Sequence, residues 1–268
     1  MPVEFHQKSG EFHLYNDEIS YIMEILENGH LGHVYFGKRL RDREGFRYLT
    51  EYAARDMAAC PFEGRRDFSL EHLKQEYPAF GTGDTRYPAF EIEREDGSRV
   101  VDFRYLGHHI YQGKKKLEGL PAVYVEDEAE AWTLEVTLED QAVSARIVLS
   151  YSIFRDYPAI ARSARFVCEG EETVTILNGM SGCLDLPDKE YEMLELAGTW
   201  ARERHIHKRE LTYGIQGVYS MRGCSSRQFN PFLGLKRKET TESAGEALGF
   251  SLVYSGNFLA QVEVDNFD

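Results

Sequence analysis

The chain has 268 residues, 42% apolar and 28% charged, the mix of a globular domain rather than a disordered or fibrous one. Its 45 Asp and Glu outweigh 31 Lys and Arg for a net charge of −14, the wrong sign for a phosphate-gripping surface, so neither nucleic acid nor membrane is expected as a partner. No run reaches the roughly 18 apolar residues of a transmembrane helix, and the start, MPVEFHQKSGEFHLY, lacks the apolar core of a secretory signal. Cysteines Cys60, Cys168, Cys183 and Cys224 lie far apart with no C-x-x-C, which reads as free thiols in a reducing compartment, the cytoplasm.

In chain order, Asp17 to Glu27 mixes helix formers with the β-formers Ile19, Tyr21, Ile22 and Ile25 before an Asn28-Gly29 turn, and is read as a strand. Ser69 to Gln75 reads as a short helix with Ser69 as its N-cap and Glu71 in its first turn. Ala89 to Tyr105 reads as two strands about an Asp96-Gly97 turn. Leu134, Val136 and Leu138 alternate with Thr133, Glu135, Thr137 and Glu139. After a hairpin-sized link, Val143, Ala145, Ile147, Leu149 and Tyr151 share the next apolar face. Ile160, Ala164, Phe166 and Cys168 share another face, with Cys168 in the place of a small buried residue, and a strand through Val174 and Ile176 follows. Phe250, Leu252 and Tyr254, then Phe258, Ala260, Val262 and Val264, give two more strands joined at Ser255-Gly256-Asn257.

Many strands at short spacing and little helix predict an all-β fold of antiparallel sheets with few short helices, one extended sandwich over residues 1–268 without a linker or repeat. The alternation runs almost to Asp268, so the chain is expected to be the front piece of a longer polypeptide, cut before its last strands.

Arg162 falls on the apolar face of its strand between Ile160 and Ala164, where a lone charge costs several kcal/mol, so a buried ion pair is expected. His205 and His207 offer two ligands on one strand face, but no further ligand stands near and Arg204, Lys208 and Arg209 repel a cation, so no metal is expected. His108 and His109 point to opposite faces and cannot chelate together. His30 and His33 read as turn and strand residues. Gly81-Thr82-Gly83-Asp84 lacks the Lys-Ser/Thr and helix of a phosphate loop and reads as a loop in which Asp84 and Arg86 hold each other. Trp200, near Gly198, Arg202 and Arg204, is the best candidate for handling a ligand: sugars stack on aromatic rings while planar polar groups fix their hydroxyls.

Six segments together resemble one family: Asn28-Gly-His-Leu-Gly-His-Val-Tyr-Phe-Gly37; Gln75-Glu-Tyr-Pro-Ala-Phe-Gly81 with Asp84 and Arg86; Ala161-Arg-Ser-Ala-Arg-Phe166; Gly198-Thr-Trp-Ala-Arg-Glu-Arg204; Ser225-Ser226 with Asn230-Pro-Phe232; and Gly249 to Gln261. They span nearly the whole chain in order, and the family is the α-galactosidases of glycoside hydrolase family 36. The resemblance implies an amino-terminal β-supersandwich domain that precedes a (β/α)8 barrel and a small C-terminal β domain. It implies a retaining mechanism with an Asp nucleophile in a Lys-Trp-Asp context and an Asp acid/base in a Ser-Asp-Asn context, both on the barrel. Here Trp132 and Trp200 are not followed by Asp, and Asp265-Asn266 follows Val264, so the catalytic pair is expected to be missing and the chain inactive alone.

The resemblance further implies packing on the enzyme's own barrel, subunit contacts within a homo-oligomer, no cofactor, and rim residues for a terminal α-galactoside of the melibiose or raffinose type. The rim Trp maps onto Trp200; Asp56 and Arg66 are the matches for a rim Asp and Arg, in a loop that differs from the family's by an insertion. The alternatives are an independent carbohydrate-binding module and a sugar epimerase, the latter needing a His and a carboxylate converging in one cleft.

Overall fold

The computed structural model describes residues 2–52, 62–65, 67–170 and 172–265. They divide into two compact units, Met1–Lys115 with Tyr124–Leu186, and Lys116–Val123 with Pro187–Asp268. Both are built from antiparallel strands, as the period-two alternation requires, with 3-10 turns as the helical elements described.

In the first unit, β1 (Val3–His6), β2 (Glu11–Tyr15), β3 (Ile19–Ile25) and β4 (Leu31–Lys38) form one meander. The predicted strand at 17–27 is β3. β5 (Phe90–Glu93) pairs with β10 (Thr175–Gly179). A second meander comprises β6 (Arg104–Gln112), β7 (Ala131–Asp140), β8 (Ala145–Phe154) and β9 (Ile160–Cys168). The predicted hairpin is β7–β8, in register from Ala131 opposite Phe154 to Asp140 opposite Ala145. One core joins the elements: Phe12, Leu14, Tyr21 and Met23 from the first meander, Leu134, Val136, Ile147, Leu149 and Tyr151 from the second, and Phe90 and Ile92 from β5.

The other face of the first meander is also covered. Glu11, His13, Ser20 and Glu24 are buried there beside Ile22, Val34 and Phe46. Segment 39–46 lies over them because the Glu11 carboxylate accepts from the backbone N–H of Phe46 (2.7 Å) and Gly45 (3.1 Å), and Ser20 Oγ accepts from that of Leu40 (2.9 Å).

The Arg162 guanidinium is paired, as its place on β9 demanded, and its partner is Glu76, whose side chain is fully buried (Nη2–Oε1 2.6 Å). Tyr21 donates to the same carboxylate at 2.5 Å and His33 Nδ1 lies 3.1 Å from its other oxygen. Arg162 also donates to the hydroxyls of Tyr21 and Tyr151 and to the Cys183 carbonyl, and its guanidinium lies over the Tyr151 ring at 4.7 Å. The Gln75-to-Arg86 loop is tied down next to it. Arg86 chelates Asp84 and donates to the carbonyls of Leu70 and Leu73, while Gln75 donates to Asp84.

Four local expectations fail. Residues 69–75 form a single turn, with the N–H groups of His72 and Leu73 both donating to the Ser69 carbonyl, and no helix. The carbonyls of Leu70 and Leu73 serve Arg86 instead of a continuing helix. The Asp96-Gly97 turn exists, but 99–103 builds no strand after it, and β5 pairs with β10. Cys168 is exposed at the end of β9. The two last strands do not pair with each other.

In the second unit, β11 (Tyr191–Thr199) lies between β12 (Arg202–Glu210) and β14 (Phe229–Arg237), and β15 (Ala247–Ser251) extends the sheet beyond β14. β16 (Phe258–Val264) pairs with β13 (Gly214–Ser220), not with β15. Tyr191, Met193, Val218, Leu233, Leu235 and Phe258 are its buried apolar residues.

Removing one partner of a buried ion pair costs about 3–5 kcal/mol, so Glu76→Gln should lower unfolding stability by about that much. Urea denaturation measures it, and a combined Glu76→Leu, Arg162→Met variant should lose less than the two single changes summed. Burial pushes the Glu76 carboxyl up, but Arg162 and the His33 bond outweigh it and hold it below its ordinary 4.5. Its contribution is therefore present above pH 4.5 and lost as pH falls below it, so the acid limb of stability against pH should be shallower in Glu76→Gln.

Candidate functional site

Of the three substrate-binding candidates, Trp200 falls within the described residues, and Asp56 and Arg66 lie outside them. Thr199 pairs with Arg202 across the β11–β12 hairpin, so Trp200 and Ala201 are the entire loop. Gly198 makes this turn passable, since any Cβ there would collide with the Arg202 carbonyl oxygen. Ala201 takes a left-handed backbone (φ 61°), and its N–H donates to Glu203 Oε1 at 2.9 Å. The far side of β11 is buttressed: Gly198 N–H donates to the Gln228 carbonyl at 3.2 Å, and the Asn230 amide to that of Leu196 at 3.4 Å. The Gly198-to-Arg204 and Asn230 segments thus meet, and they hold Trp200 out at 79% exposure.

Behind the tip, Gly198, Thr199, Arg202, His205, Ile206 and His207 line an open depression of about 380 Å³. Its lining offers imidazole and guanidinium donors beside an apolar side chain, with an aromatic ring at the neighbouring tip and no carboxylate. Such a surface can hold hydroxyls and stack the CH face of a sugar. Among the described residues its lining holds no paired acids with which to protonate and displace a glycosidic oxygen. Glu195, on the adjoining part of β11, is taken up by Arg209.

The other singled-out residues are used structurally. Asp84 and Arg86 hold each other, as expected. His108 packs on Phe5 and Phe12 and lies 2.7 Å from the Tyr105 hydroxyl, while His109 stacks on Tyr111. His30 bonds Asp102 at 2.9 Å; burial lowers the His30 pKa against the pull of that carboxylate. His205 and His207 gain no third ligand; among the described residues the close grouping of three potential metal ligands is His6, His13 and Asp42.

That trio was missed in the sequence, although a signal was there. Val3, Phe5, Phe12 and Leu14 alternate with Glu4, His6, Glu11 and His13 about the Ser9-Gly10 turn, which puts both imidazoles on one face of a hairpin. Asp42 arrives from a segment with no periodicity to place it.

Comparison with known proteins assigns the class. The model of the glycosyl hydrolase family 36 N-terminal domain matches residues 29–268, and the chain belongs to that family. It is 45% identical over 267 residues to the α-galactosidase AgaA of Geobacillus stearothermophilus, covering 100% of this chain and 36% of that protein. It is 37% identical to the α-galactosidase Mel36A of Lactobacillus acidophilus, covering 99% of this chain and 36% of the relative. The crystal structure of AgaA A355E D548N in complex with raffinose superposes with a TM-score of 0.92 at 46% identity, over 96% of this chain and 36% of that one. The α-galactosidase from Lactobacillus brevis gives 0.95 at 37% identity, over 98% and 36%. The chain therefore spans about a third of the length of the relatives it matches, and its all-β fold is that of their N-terminal domain.

The hairpin geometry is testable alone. Gly198→Ala should destabilise the protein by about 1–3 kcal/mol through overpacking against backbone. Gly249→Ala, whose Cβ would meet the Phe232 ring at an ordinary 3.5 Å, should change stability by less than about 0.5 kcal/mol. Chemical denaturation of both variants distinguishes them.

Proposed function

We propose that this chain serves as the non-catalytic amino-terminal domain of a retaining α-galactosidase acting in the cytoplasm on terminal α-galactosides of the melibiose and raffinose type. It packs on the enzyme's barrel, mediates contacts between subunits of a homo-oligomer, and contributes to the rim of the galactose pocket. Trp200 is the rim aromatic; Asp56 and Arg66 are the rim carboxylate and guanidinium. The observation that carries this reading is the match of the whole chain to 36% of the α-galactosidases AgaA and AgaB. The exposed Trp200 on a hairpin tip that only glycine at 198 permits supports it further.

The chain alone should show no turnover of an aryl α-galactoside, whereas a longer polypeptide that includes the barrel should. Turnover by the chain at a comparable rate overturns the proposal. In the longer enzyme, a lost stacking contact is worth roughly 0.5–1.5 kcal/mol, so Trp200→Ala should raise KM for raffinose roughly 2- to 12-fold. Steady-state kinetics measures this, and an unchanged KM removes Trp200 from the rim. Saturable raffinose binding by the chain alone, tighter than about 10 mM by calorimetry, would replace the scaffold reading with a self-sufficient carbohydrate-binding module.

A further inference from the structure

We propose that His6, His13 and Asp42 form a binding site for one transition-metal ion of the Zn2+ type, which fastens segment 39–46 to the first hairpin. His6 Nε2 and His13 Nδ1 converge on one carboxylate oxygen, Asp42 Oδ1, at 3.0 and 2.7 Å, and the three ligand atoms all lie within 4.8 Å of one another. Two imidazoles and a carboxylate are the donor set of a zinc-type site with a fourth position for water, and imidazole nitrogen disfavours Mg2+ and Ca2+. Zinc bonds of about 2.0–2.2 Å need these donors only slightly further apart than the shared hydrogen bonds now hold them.

The surroundings are built to hold the ligands still. The His13 side chain is fully buried, its ring between those of Tyr15 (4.6 Å) and Phe46 (5.0 Å). Its other nitrogen, Nε2, lies 2.9 Å from Ser20 Oγ, the outer partner that fixes the orientation of a ligating imidazole. Glu11 and Ser20 grip the backbone on either side of Asp42. His6 and Asp42 keep 15% and 32% of their side-chain surface exposed, a path for an ion to enter.

Charges of both signs surround the site. Glu4 stands opposite His13 in register. Of the basic residues around the site, Arg39 is drawn to Asp17 and over the Tyr15 ring, Arg43 lies over the Tyr48 ring, Arg41 is exposed, and Lys8 is drawn to Glu44.

The test is calorimetric titration of the metal-free full chain with ZnCl2, alongside MgCl2. One saturable Zn2+ site tighter than about 10 µM, with no Mg2+ binding and a Zn2+-dependent rise in melting temperature, is expected. His6→Ala and the near-isosteric Asp42→Asn should each weaken Zn2+ binding at least about tenfold. Metal-free melting curves show whether each variant is folded, and Asp42→Asn keeps the test open if His6→Ala is not. A His205→Ala, His207→Ala variant should bind as the parent does. Absence of a saturable site, undiminished affinity in a folded His6→Ala or Asp42→Asn variant, or loss of binding in the His205/His207 variant overturns the proposal.

Discussion

The ion pair between Glu76 and Arg162 is the constraint around which the first unit is arranged. A carboxylate with no solvent exposure is tolerable only when its lone pairs are filled, and here a guanidinium, a phenol and an imidazole fill them. Those donors come from β9, β3 and β4, and the guanidinium in turn needs the Tyr151 hydroxyl on β8 and the Cys183 carbonyl. Such a cluster adds little net stability over an apolar filling, but it tolerates few alternatives. A one-residue slip of β9 would turn Arg162 out of the core and leave Glu76 charged and unpaired.

Other acids follow the same logic. Glu11 is spent on backbone N–H groups of the covering segment, Glu24 on Arg47 and Thr50, Asp84 on Arg86 and Gln75, and Asp140 on the N–H groups of Asp102 and Ala142. Carboxylates held this way act as structural clamps. The hairpin carrying Trp200 shows the complementary arrangement: a glycine at the crossing, a left-handed alanine in the loop, and an aromatic ring left in solvent.

What the sequence disclosed and what it withheld divide along the reach of the interactions. The alternation of β7 and β8 is local and unambiguous, and Arg162 on an apolar face already implied a partner. The identity of that partner was not legible, because Glu76 lies on an aperiodic loop. The segment from Ser69 looked helical through its cap and short spacing, yet Arg86 takes carbonyls that a helix would have used. β15 and β16, adjacent in sequence and separated by a turn-like Ser-Gly-Asn, choose partners β14 and β13 instead. The trio of His6, His13 and Asp42 could not be assembled from periodicity, because the segment that carries Asp42 over the polar face of the β1–β2 hairpin has none. Trp200 stands out in the sequence as a rare residue among guanidinium groups, a signal that needs no long-range knowledge.

The burial of the Cys183 thiol, beside the central ion pair, has a consequence for the chain's durability towards oxidants. Burial pushes the Cys183 thiol well above its ordinary range, so almost none of it exists as the reactive anion at neutral pH. Cys168 and Cys224 are exposed and meet peroxides and alkylating agents first. Chemical ageing therefore begins at the periphery, and the sulfur beside the central ion pair is among the last of the described thiols to be modified.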